Sequence, residues 1–270
     1  MKQLLLPFIV ALLIGGFIVW ARPRSTGPSS QGSSATEPVN QIDLKDRPYV
    51  TLAPTAGSRH PQGKEVTLTI SRTALDSTTV EYELEYQAGS LIQGVFGRID
   101  FTKDKPPVSK NLLLGSCSAG GKCSYHENVT GGSLTLRFRG GKQNFALKGE
   151  WNLEQMGQRR GKFSSRDAKF QLEIPSAGLP GSALLIITQT MGLPGEVDGQ
   201  VIAGPYAVFT LGSKLAGSAQ LSLRLNQEAS SVKLLGWNGT AWHEYKAQVS
   251  GKTLTATVDR LTTFVAVTAP

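Results

Sequence analysis

Val80-Glu81-Tyr82-Glu83-Leu84-Glu85-Tyr86 decides the fold class. An apolar or aromatic side chain stands at every even position and a glutamate at every odd one. Successive side chains of a strand point to opposite faces, so this stretch predicts a strand with one face on a core and the other in water.

The same alternation recurs on both sides. Val66, Leu68 and Ile70 alternate with threonines; Leu134, Leu136 and Phe138, then Phe145, Leu147 and Trp151, then Phe170, Leu172 and Ile174 repeat it. Residues 91–101 carry Gly94 and Gly97 inside an apolar run, which predicts an edge strand with a bulge or bend. Residues 103–107 read as a turn, and between Asn152 and Arg166 the pattern fails, which predicts a loop.

With 270 residues, 40% apolar, 30 glycines and only 18% charged, the chain has enough apolar surface for cores and enough glycine for many tight turns. Short strands separated by glycine, proline and aspartate predict an all-β protein, built as sandwiches or barrels. The expected organisation is two β-sandwich domains, residues 47–175 and 176–270, behind an N-terminal hydrophobic leader or anchor helix.

In the second region the order is Gly204-Pro205-Tyr206-Ala207-Val208, Ala219-Gln220-Leu221-Ser222-Leu223, Leu235-Gly236-Trp237-Asn238-Gly239-Thr240-Ala241-Trp242, Thr255-Ala256-Thr257-Val258 and Thr263-Phe264-Val265-Ala266-Val267. This segment resembles the immunoglobulin-like β-sandwich repeats near the carboxyl ends of bacterial and archaeal cell-surface proteins. The resemblance implies architecture and an extracellular setting, with adhesion, assembly or domain spacing as roles. It carries no catalytic position onto this chain, and Leu261-Thr262-Thr263 departs from the family pattern.

Residues 4–20 are almost unbroken apolar sequence behind Lys2, as exported proteins begin. At about 1.5 Å per residue such a helix reaches about 26 Å, slightly short of a hydrocarbon core about 30 Å thick. Residues 1–21 are therefore read as a signal peptide or, uncleaved, a membrane anchor. Lys2 before the segment and Arg22 and Arg24 after it leave orientation undecided. Residues 22–46, rich in Ser, Gly, Pro and Gln, are read as a disordered linker.

Cys117 and Cys123 are the only cysteines. Export would place them in an oxidising compartment, and glycines between them let the chain fold back, which predicts a disulfide. Its small loop is worth about 2 kcal/mol. The metal alternative falls short: the pair and His126 supply three ligands where a closed zinc site needs four, with Glu127 or His60 required from elsewhere. No metal and no cofactor is expected.

Beside the cysteines, Tyr125, His126 and Glu127 combine an amphipathic ring, a titratable donor and a carboxylate, a candidate recognition loop. A carbohydrate-binding module would show a row of exposed aromatics, for which Tyr125, Trp151, Trp237, Trp242 and Tyr245 are the candidates. Asn128-Val129-Thr130 and Asn238-Gly239-Thr240 match the glycosylation acceptor pattern, and the second is also a turn signal.

The net charge of +8 comes from scattered lysines and arginines without interleaved aromatics, so no specific nucleic-acid partner is expected. No nucleophile elbow, zinc-protease, P-loop or dinucleotide motif is present. The expected function is a structural or adhesion module of the cell surface, membrane-anchored through residues 4–20 or secreted, with a surface polysaccharide or protein as partner. Carbohydrate binding is the alternative. A cell-envelope hydrolase would require two acids, or His126 and a serine, meeting in a cleft.

Overall fold

The computed structural model describes residues 38–56, 59–229 and 231–268; the expected leader and most of the expected linker lie outside them. In chain order the strands begin β1 (Val50–Pro54), β2 (Glu65–Ile70), β3 (Thr79–Ala88), β4 (Leu91–Asp100), β5 (Val108–Leu113), β6 (Gly115–Cys117) and β7 (Cys123–Tyr125). Next come β8 (Val129–Arg139), β9 (Phe145–Gln155), the short helix α1 (Met156–Arg159), β10 (Lys162–Ser164), β11 (Phe170–Glu173) and β12 (Leu184–Gln189). The last are β13 (Val201–Thr210), β14 (Ala219–Arg224), β15 (Val232–Trp237), β16 (Trp242–Tyr245), β17 (Ala247–Ser250), β18 (Thr253–Val258) and β19 (Thr263–Thr268). The protein is all-β.

A nine-stranded sheet, ordered β16-β15-β19-β13-β12-β9-β8-β3-β4, is the backbone of the molecule. The sheet β1-β2-β5 packs on one half of it: Leu52, Leu68 and Ile70 meet Leu84, Leu136, Phe138 and Trp151 in the first core. The sheet β10-β11-β14-β18-β17 packs on the other half, where Phe170, Leu172, Leu221 and Leu254 meet Val208, Phe264 and Ala266 in the second.

Strand β12 feeds both cores. Ile186 belongs to the first, while Leu185 and Ile187 belong to the second. Neighbouring side chains on a strand point to opposite faces, so the two small sheets cover opposite sides of the large one. A strand buried on both faces has no polar side, which is why β12 reads Leu184-Leu185-Ile186-Ile187.

The expected boundary at residue 175 therefore falls within continuous structure. Strand β9 pairs with β12, joining the regions through one ladder, and Phe163, Phe170, Leu172 and Ile174 pack in the second core. The two cores share a sheet because an antiparallel neighbour completes the backbone hydrogen bonds of both β9 and β12.

Other expectations shift locally. Strand β4 is the sheet's terminal strand, as expected, but its pairing with β3 runs from Thr79↔Asp100 to Ala88↔Leu91 without a bulge. The expected loop between Asn152 and Arg166 contains the end of β9, α1 and β10. Strands β16 and β17, adjacent in sequence, lie in different sheets, β16 in the nine-stranded one and β17 in the five-stranded one. The expected linker is docked from Val39, which bridges Ala146. Asn40 exchanges two 3.0 Å hydrogen bonds with the Lys148 backbone, and Ile42 is buried in the first core. That one apolar side chain and the paired amide offset the entropy of ordering a polar segment.

Candidate functional site

The recognition loop foreseen at Tyr125, His126 and Glu127 is the end of a stapled hairpin. Strands β6 and β7 pair in register Gly115↔Tyr125 and Cys117↔Cys123, and the two cysteines are joined by a disulfide. Neither sulfur therefore offers a thiolate to a metal. Among the described residues no group of three or more His, Cys, Asp or Glu side chains is placed to hold one.

Each of the three residues is held by neighbours in the first half of the fold. The Tyr125 hydroxyl lies 3.2 Å from His60 Nδ1, with the rings edge to face at 5.7 Å. His126 Nδ1 lies 2.9 Å from the Tyr86 hydroxyl. Lys64 Nζ donates to the His126 carbonyl at 3.0 Å and pairs with Glu127 at 2.7 Å. Burial raises the Tyr86 pKa, so that hydroxyl keeps its proton at neutral pH. A protonated phenol against an imidazole positions the hairpin and offers no activated nucleophile.

Trp151 is the floor of this arrangement. It is only 1% exposed, lies edge to face with Tyr86 at 6.4 Å, and donates from Nε1 to the Glu85 carbonyl at 3.3 Å. A ligand cannot stack on it, which corrects its expected place in a binding row. The cause is parity: Trp151 shares a strand face with Phe145 and Leu147 of the core.

Beside the hairpin runs a groove of about 640 Å³ lined by Lys64, His126, Asn128, Asn152, Glu154, Arg159 and Arg166. Burial raises the Glu154 pKa and Arg159, 3.2 Å away, opposes the shift. Glu154 Oε2 is buried with no hydrogen-bond partner.

The remaining aromatic candidates also make contacts within the chain, Trp237 and Trp242 half-buried and Tyr245 buried. Trp237 and Trp242 meet edge to face at 5.3 Å, and Trp242 Nε1 donates to the Gly195 carbonyl at 3.2 Å. A Cβ on Gly195 would come within 2.9 Å of the Trp237 ring, so a side chain there would force that ring to shift. Tyr245, 7% exposed, donates to Asp259 Oδ1 at 2.6 Å. Burial and that bond push the Tyr245 pKa up to about 12; hydrogen bonds from Arg260 and Tyr245 hold Asp259 down at about 2. No row of exposed aromatics forms from these residues. Asn238 Oδ1 accepts from Thr240 N, Thr240 Oγ1 and Ala241 N, a conformational use of that motif.

A larger cleft of about 1240 Å³ lies between residues 40–47 and the 190–200 segment. At its wall is a network that sequence reasoning missed. Asp167 accepts from the Ser165 hydroxyl at 2.5 Å, the Tyr206 hydroxyl at 2.6 Å and Gln189 Nε2 at 2.9 Å. Burial alone would raise the Asp167 pKa, but the hydrogen bonds from Ser165, Tyr206 and the Lys169 amide, with the nearby Lys169 charge, outweigh it and hold the carboxylate below its ordinary value. The cleft arginines serve backbone: Arg47 donates to the Ile42 and Asn40 carbonyls, and Arg72 to those of Lys45 and Arg47.

What stays exposed and apolar is elsewhere. Ile92 is 73% and Phe96 82% exposed, both on β4. No protein-family model, no curated protein and no solved structure matches the chain.

Proposed function

We propose that the chain is a structural and adhesion module of the cell surface, secreted or tethered to the membrane through residues 4–20. The observation that carries this reading is the apolar terminal strand β4, with Ile92 and Phe96 in water, while Trp151 and Tyr245 are committed to the cores. An exposed strand edge with apolar side chains is an association surface. The disulfide between Cys117 and Cys123 fits an oxidising compartment. The last region, with the β10-β11-β14-β18-β17 sheet against β12, β13 and β19, is read as an immunoglobulin-like sandwich, in keeping with its resemblance to surface repeats.

Labelling of intact cells with a membrane-impermeant amine reagent tests the location. A surface module is labelled without lysis, and its native form yields no reactive thiol. A chain labelled only after lysis, with two reactive thiols, would overturn the proposal.

A further inference from the structure

Strand β4 is the longest sheet edge among the described residues. It has 10 residues, whereas the edge strands β1, β5, β10, β16 and β17 have between 3 and 6. It carries no proline, no lysine and no bulge, the usual protections of an exposed edge. Its outer backbone groups are a template for one more strand.

The side chains specify which strand. On β4 the even positions Ile92, Gly94, Phe96 and Arg98 face water, beside Gln87, Glu85, Glu83 and Glu81 of β3. Gly94 is not required by its own chain: its φ is not in the left-handed region, and an added Cβ would meet only the Leu84 carbonyl at 3.7 Å, an ordinary contact. Gly97 differs, because the Tyr82 ring fills the space of its Cβ. A glycine without an internal reason, two positions from an exposed phenylalanine, is complementary to that phenylalanine on an antiparallel neighbour.

We infer that β4 pairs with β4 of a second copy, antiparallel about a two-fold axis at Val95. This register sets Phe96 of each copy over Gly94 of the other, and Ile92 against the stem of Arg98. Paired residues of an antiparallel ladder share a face, so the water-facing side continues from one copy to the next. Like charges do not meet, since Arg98 is the only charged residue from Leu91 to Ile99. The inference rests on the reading of the chain as a structural module and names its partner. One strand per copy is smaller than the roughly 20–30 residues a side of a standard interface, so the dimer is weak and grows with concentration.

Sedimentation equilibrium of the full chain in density-matched nonionic detergent tests the register. The wild type dimerises in roughly the micromolar to millimolar range. Phe96→Lys and Gly94→Glu, both at exposed positions, keep the fold by circular dichroism and each weaken association about ten-fold or more. An equimolar mixture of the two variants regains it, because the introduced lysine of one copy then faces the introduced glutamate of the other. A wild type monomeric throughout, a dimer indifferent to Phe96→Lys, or a mixture no tighter than its components would overturn the inference. Labelling of intact cells reads the surface proposal separately, so either can fail alone.

Discussion

The Tyr206 hydroxyl donates to the Asp167 carboxylate at 2.6 Å, tying the turn between β10 and β11 to strand β13. Gln189 of β12 adds a second bond at 2.9 Å, so one carboxylate joins the five-stranded sheet to the nine-stranded one. Asp167→Ala is expected to cost about 2 kcal/mol, because hydrogen bonds to a charged group are lost and their donors are left half-buried. Denaturant unfolding of the variant measures it.

The same carboxylate sets a pH dependence. Its folded pKa lies below the ordinary carboxylate value, so its stabilisation is complete above that ordinary value and is lost as pH falls through the depressed one. Melting temperature should decline in acid for the wild type and decline less for Asp167→Asn. Equal acid slopes would show that Asp167 does not link the sheets electrostatically.

Trp151 supports the disulfide-stapled hairpin from below through Tyr86 and His126. Trp151→Ala is expected to cost about 3–5 kcal/mol, the usual penalty for deleting a buried large aromatic. Tyr86→Phe removes one hydrogen bond and costs about 1 kcal/mol. Both are read by denaturant unfolding, and a loss near zero for Trp151→Ala would contradict its place in the core.

How much of this could be read beforehand depended on whether the signal was local. Val80 to Tyr86 identified a half-buried strand because alternation is a property of adjacent residues. The apolar run of β12 carried the mark of burial on both faces, but nothing local says that Ile186 and Ile187 enter different cores. Trp151 was legible in part: it keeps the parity of Phe145 and Leu147, which assigns it to the core rather than to a ligand. The Asp167 network was not legible, since Gln189 and Tyr206 lie 22 and 39 residues away and strand pairing alone brings them there. The docking of Val39 to Ile42 was hidden by polar neighbours that read as linker.

Replacing Cys117 and Cys123 with serine opens a small loop, which predicts a loss of about 2 kcal/mol. Amides that exchange through global unfolding should speed up only by that common loss, and any larger effect should be confined to β6, β7 and the Tyr86 contact, because neither cysteine belongs to a core. A rise beyond the common loss across β12 and β19 would show the bridge supporting the whole sheet.

The central claim, a surface module that associates through structure rather than a sugar-binding site, is tested most directly by a binding array. The full chain is titrated against polysaccharides and cell-wall fractions at several salt concentrations. A module of this kind shows no saturable binding to any glycan. Saturable binding that persists in salt and is lost on Tyr125→Ala or Trp242→Ala would contradict it and assign the chain to carbohydrate recognition.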